Sequence, residues 1–314
     1  MNSMKSIRLI HFTDIHYTSN SLLDIARADP ALKRVFGWVN FNLMGRTNDF
    51  ANSARSRILE DINKLSREIK QSPGKQGAVI FTGDATSMSL KSEFEQAHEN
   101  MSTVLDVIPS LAIPGNHDIY TKHSLETQSF QKYFGKWSHK DQGTLSQLSV
   151  GNVNIVGLET CRPRTFDSTG YISEEQLSGF KTILDQGHEK LILAIHYPLL
   201  DPSKTPLGVV NKGYQDAKPK HCIENGLALM ELIESSHYKP LMIIHGHIHK
   251  PSLSLWNNIT ISNPGCSALT RGSFSLYDIE ENHIHITNQL YNHETDSFDS
   301  EKFTIETGVP VNST

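Results

Sequence analysis

Cysteine is scarce in this chain: 3 of 314 residues, Cys161, Cys222 and Cys266, lie far apart with no Cys-x-x-Cys pair. That excludes a disulfide-built scaffold and a thiolate zinc site, and a reducing compartment fits best. No uninterrupted apolar run approaches the roughly 18 residues of a membrane span. Residues Met1 to Ser6 lead straight into Ile7-Arg8-Leu9-Ile10, leaving no room for a cleavable secretory leader, so the expectation is a cytoplasmic protein. A basic excess is missing too: Lys+Arg 29 against Asp+Glu 34 gives a formal charge of -5, which argues against a nucleic-acid partner. Neither Gly-x-Ser-x-Gly nor a Gly-Lys-Ser/Thr phosphate loop occurs, excluding serine-hydrolase and P-loop chemistry. There is no internal repeat, low-complexity tract or Pro/Gly/Ser-rich linker.

What remains is a globular composition, 37% hydrophobic, with an unusual 16 histidines. Short β-rich runs, Ile7–Phe12, Ala78–Phe81, Ser110–Ile113, Val153–Leu158, Leu191–Ile195 and Leu241–Ile244, alternate with helical patterns over Ser53–Ile69, Ser92–Asp106, Ser173–Leu184 and Cys222–Ser235. Ser173 predicts an N-cap, with Gln176 completing a capping box. The alternation predicts an α/β fold with strands covered by helices. Asn258–Ser262, Ser273–Ile279 and His283–Leu290 predict an antiparallel ending, within a C-terminal strand region at 258–305. The expectation is one domain over 1–314, two layered sheets, with a cap insertion at 21–50 whose apolar stretch 35–44 lacks clean periodicity.

Chemistry-bearing residues follow five of the strand candidates directly: Asp14-Ile15-His16, Gly83-Asp84, Gly115-Asn116-His117-Asp118, His196, and His245-Gly246-His247-Ile248-His249. Carboxyl ends of strands converge on one edge of an α/β sheet, so these groups should meet. Oxygen and imidazole donors with one bridging carboxylate suit two divalent cations, with Asp84 as the bridge. His16 and His249 would serve one ion, His196 and His247 the other, and Asn116 would add an amide oxygen. The donor set suits Zn, Fe, Mn or Co over Ca without choosing among them. On extended backbone the Asp-x-His and His-x-His spacings would point both members of each pair the same way.

Asp14-x-His16, Gly83-Asp84, Gly115-Asn116-His117-Asp118, His196 and Gly246-His247-x-His249, in this order, resemble the calcineurin-like metallophosphoesterases, over residues 7–266. They are most similar to its cyclic-nucleotide phosphodiesterase-like branch, from which Ala85 and Ser87 depart. The resemblance implies a two-sheet β-sandwich flanked by helices, four layers in all, with a binuclear metal site at one edge. It assigns one ion to Asp14, His16, Asp84 and His249, and the other to Asp84, Asn116, His196 and His247. It makes His117 the catalytic histidine, oriented by Asp118. The function so implied is hydrolysis of a small phosphodiester, a cyclic nucleotide or related ester, by in-line attack of a hydroxide bridging the two metals, with no protein nucleophile. A phosphomonoesterase, a nucleotide pyrophosphatase and a non-catalytic scaffold are the alternatives. Arg162, Arg164 and Arg271 are candidate substrate-binding residues, the first two after the strand ending at Leu158.

Overall fold

A computed structural model describes residues 6–19, 24–25, 33–34, 52–139, 145–164, 168–199, 208–209 and 221–307. Apart from 24–25 and 33–34, the expected cap at 21–50, including 35–44, lies outside them.

β1 (Ile7–Phe12) shows how the layers arise. Side chains alternate across a strand, so Ile7 and Leu9 face one way and Ile10 and Phe12 the other, and both sets are buried. β1 pairs in parallel with β2 (Gln76–Phe81), which pairs in parallel with β3 (Ser110–Ala112). On its other side β1 runs antiparallel to β11 (Ser273–Ile279), followed by β12 (His283–Asn292) and β13 (Ser297–Glu306), giving the order β13-β12-β11-β1-β2-β3. The second sheet comprises β4 (Ser146–Val150), β5 (Val153–Gly157), β6 (Lys190–Ala194), β7 (Gly208–Val209), β8 (Met242–Ile244), β9 (Ser252–Trp256) and β10 (Ile259–Asn263). Its order is β4-β5-β6-β8-β10-β9-β7, with β5, β6, β8 and β10 parallel. The expected antiparallel ending is therefore divided: β11 and β12 form a hairpin extended by β13, whereas β10 joins the other sheet, parallel to β8.

Three apolar layers fill the molecule. Leu9, Ile80, Leu111, Ile155, Ile192 and Ile244 pack between the sheets. On the outer face of the first sheet, Ile10, Phe12 and Phe81 meet Ile58 of α1 (Asn52–Gln71), Phe94 of α2 (Lys91–Leu105), and Phe134 of α4 (Ser129–Ser138); the short α3 (Lys122–Glu126) precedes α4. On the outer face of the second, Leu193 and Ile243 meet Phe180 of α5 (Glu174–Gln186) and Ile233 of α6 (Gly226–Ser235). The result is α/β/β/α, the four-layered two-sheet sandwich. Ser173 caps α5, accepting from Gln176 N at 3.3 Å, but Gln176 completes no box: its amide bonds Glu159 N and O, both at 2.8 Å.

Candidate metal centre

Every candidate ligand sits just past the carboxyl end of a parallel strand: β1, β2 and β3 in one sheet, β6 and β8 in the other. The loops are laced together. Asp14 N donates to Gly83 O (2.9 Å), Ile15 N and His16 N both to Asp84 O (3.0 Å), and Gly246 N to His196 O (3.0 Å). A Cβ on Gly83 would strike Gly115, and one on Gly115 would strike Asp84 Oδ1, so only glycine lets these loops approach.

The side chains converge as their positions in the sequence predict. His249 Nε2 lies 3.2 Å from both Asp14 Oδ1 and His16 Nε2. Asp84 Oδ2 lies 3.5 Å from His196 Nε2 and 3.8 Å from His16 Nε2, between the two halves. Asn116 Oδ1 stands 3.0 Å from His196 Nε2 and 2.9 Å from His247 Nδ1. Asp84 thus shares one cluster with His196 and His247 and another with His16 and His117, the ligand atoms of each within 4.8 Å of one another. A third such cluster joins His16, His249 and Cys266.

Electrostatics single out the same place. Asp14 and Asp84 are buried, which by itself would raise both carboxyls. The imidazoles of His16 and His249 instead hold Asp14 well below the usual range, and those of His196, His117 and His16 hold Asp84 low. His196 is pushed up to about 9: burial opposes, and the Asp84 charge prevails. Asp14 Oδ1 is buried and faces the imidazole nitrogens of His249 (3.2 Å) and His16 (3.6 Å). Two buried carboxylates facing imidazole nitrogens are costly without a cation, and this donor set fits divalent transition metals.

Backbone conformation departs from expectation. Asp14 (φ 54°), His16 (φ 44°), Asp84 (φ 62°) and His247 (φ 66°) are left-handed, not extended. His247 and His249 accordingly diverge, one toward Asn116 and the other toward Asp14. Non-glycine residues held this way cost about 1–3 kcal/mol each and cluster at functional sites.

The Asp118 carboxylate is turned to the neighbouring loops. Its Oδ2 accepts from Asp84 N (2.9 Å), Ala85 N (3.2 Å) and Gly115 N (3.0 Å), and its Oδ1 from Thr86 N (2.9 Å) and Thr86 Oγ1 (3.1 Å). It is a clamp on the loop that carries Asp84. The His117 ring is set instead by Ser87 O, which accepts from Nδ1 at 2.6 Å, and by Tyr120, stacked 5.7 Å away at 10°. A backbone carbonyl carries no sequence signal, so the first of these was illegible. Also missed are Tyr197 and His221, whose ring centroids lie 4.4 and 5.5 Å from that of His247.

Arg162 and Arg164 both pair with Glu224, Arg164 at 2.7 Å, and Arg162 also covers the Tyr171 ring at 4.3 Å. Lys33 Nζ donates to Arg164 O (2.6 Å) and Tyr120 O (2.5 Å), bridging that segment to the His117 loop. Arg271 is exposed.

The chain is similar to known proteins. A probable glycerophosphodiester phosphodiesterase of Arcobacter nitrofigilis is 28% identical over 188 residues, covering 60% of this chain and 62% of that protein. A probable cyclic nucleotide phosphodiesterase of Rhodopseudomonas palustris is 24% identical over 186 residues, 58% of this chain and 60% of its own length. The match thus spans about three fifths of these relatives. Among solved structures, the sulfate thiohydrolase SoxB of Thermus thermophilus aligns over 100% of this chain and 58% of its own, at 13% identity and a TM-score of 0.48. The family described as calcineurin-like phosphoesterase matches residues 7–251, most of the chain, and the protein belongs to that family.

Proposed function

We propose that this protein is a phosphodiesterase dependent on two divalent transition-metal ions, acting on a small phosphodiester such as a cyclic nucleotide or a related ester. The observation that carries the reading is the convergence of two buried carboxylates, four imidazoles and one amide oxygen, with Asp84 Oδ2 between the two halves. The similarity to a probable glycerophosphodiester phosphodiesterase and a probable cyclic nucleotide phosphodiesterase supports the substrate class. Asp14, His16, Asp84 and His249 would hold one ion, and Asp84, Asn116, His196 and His247 the other. When bound, such ions acidify water and neutralise charge developing on a phosphoryl group.

The protein's own groups do the rest. His196 gives its Nδ1 proton to Thr82 O at 2.7 Å, which leaves Nε2 as the ligand nitrogen. His117, with its Nδ1 proton committed to Ser87 O and its ring pushed down to about 4 by burial, carries a lone pair on Nε2, which would first take up a proton and then pass it to the leaving oxygen. Asp118 keeps the Asp84 loop in its left-handed turn. The three cysteines among the described residues form no disulfide, which supports the reading of a reducing, cytoplasmic setting. No helix among those residues is long and apolar enough to cross a membrane.

The test is a panel of phosphomonoesters, cyclic nucleotides and linear diesters with Mn²⁺. Diesters should turn over fastest, and Asp84→Ala should lose both ions by elemental analysis. Faster monoester or pyrophosphate cleavage would reassign the substrate class. No hydrolysis with Mn²⁺, Zn²⁺, Fe²⁺ or Co²⁺ would return the scaffold reading.

A further inference from the structure

His11 breaks the pattern of its strand. It shares the inward face of β1 with Ile7 and Leu9, in the apolar layer between the sheets, and like Leu9 it has no exposed surface. A buried imidazole is tolerated only when both nitrogens are partnered. Here they are: His11 Nδ1 lies 3.0 Å from Tyr277 Oη, and Nε2 lies 2.8 Å from Thr82 Oγ1. Tyr277 Oη continues to Ser262 Oγ at 2.9 Å, so one file of hydrogen bonds runs from β10 of the second sheet through β11 and β1 to the end of β2. Burial pushes His11 down to about 3, so the ring is neutral and each nitrogen has one role, donor or acceptor. Either direction of the file gives His11 one donor and one acceptor partner.

The file ends on the residue that matters. Thr82 O is the carbonyl that accepts from His196 Nδ1, and Gly83 and Asp84 follow directly. Thr82 is therefore gripped twice, by its hydroxyl from His11 and by its carbonyl from His196. Holding the hydroxyl limits how far the peptide bearing the carbonyl can swing. We infer that His11 is a positioning residue for the second metal position, acting through Thr82 on the orientation of His196. The inference rests on the two-metal reading above. It places the control in the intersheet layer, outside the ligand set.

Equilibrium dialysis of the metal-free chain against Mn²⁺ alone tests this, with His247→Ala as the reference for a lost second ion. His11→Phe keeps the volume and removes both bonds. It should weaken the second ion 10–100-fold, the usual effect of removing a partner behind a ligand, and leave the first within about twofold. Thr82→Val, which removes only the hydroxyl, should do the same, and the double variant should be no weaker than His11→Phe. His11→Gln, which keeps a donor and an acceptor, should recover part of the loss. If His11→Phe does not fold, Thr82→Val decides. Wild-type affinity for the second ion in the deciding variant, or equal weakening of both ions, overturns the inference alone. A wild-type chain that takes up no pair of ions overturns the two-metal reading, and the inference with it.

Discussion

His117 and His196 are held alike, each giving its Nδ1 proton to a backbone carbonyl, Ser87 O or Thr82 O. Their proposed uses differ, and substitution should separate them. His117→Ala should leave metal content nearly unchanged and lower kcat by about 10²–10⁴. An alkoxide leaving group should suffer more than p-nitrophenolate, which needs little protonation; equal losses on both esters, or an emptied metal position, would remove His117 from the acid role. Glu93 offers a pH test away from the metals. Fully buried, it accepts from Ser19 N (3.1 Å), Met88 N (2.8 Å) and Leu90 N (3.1 Å), bracing the loop that presents Ser87. Burial, against those donors and Arg34, pushes its carboxyl from 4.5 up to about 7. Between those values the folded carboxyl keeps its proton and the unfolded one has lost it, so stability falls as pH rises. At ~1.4 kcal/mol per pH unit the fall is up to about 3 kcal/mol. Urea midpoints from pH 4 to 8 should show that slope, and Glu93→Gln should flatten it; an unchanged slope would clear Glu93 of the effect.

The loops at the strand ends behave as one element. Asp118 alone accepts four backbone N–H groups from two of them. Asp118→Ala strands those donors, at about 1–3 kcal/mol for each one left buried and unpaired, and should lower the urea midpoint markedly. His117→Ala beside it should barely move the midpoint; parallel shifts would mean that the clamp has no special role. The strands feeding these loops were legible because β1, β2, β6 and β8 are buried on nearly every residue and read as plain apolar runs. β4 was not, because it lies at a sheet edge and carries polar residues such as Ser149, and β13, also an edge strand with polar residues such as Asp299 and Glu301, fell inside the expected strand region 258–305 without standing out as a separate strand. α4 carries its signal in Phe130, Phe134 and Trp137, aromatics at helical spacing that share one buried face. At the site, the identity and order of the metal candidates were legible because each follows a strand. The direction of each side chain was not, since left-handed backbone at Asp14, His16 and His247 overrides the alternation that spacing assumes.

Across the whole molecule, the two sheets meet at the edge where buried carboxylates face imidazoles. Bound ions should therefore stabilise the entire fold, by about 2.7 kcal/mol when free ion stands at 100 times its Kd. Chelation should lower Tm and excess Mn²⁺ restore it; a Tm indifferent to both would argue that no ion belongs there. The placement of β1 has a different consequence, in the order of synthesis. β1 lies between β2 and β11, and its ion pair from Arg8 to Asp278 spans 270 residues. At about 5–20 residues per second, the first strand waits roughly 15–50 s for its antiparallel neighbour to be made. During that interval the apolar run Ile7–Phe12 is an open edge of a partial sheet, the kind of edge that recruits other chains. All seven candidate ligands exist once residue 249 is joined, yet the sheet that bears Asp14, His16 and Asp84 stays open on one side until β11, beginning at Ser273, leaves the ribosome.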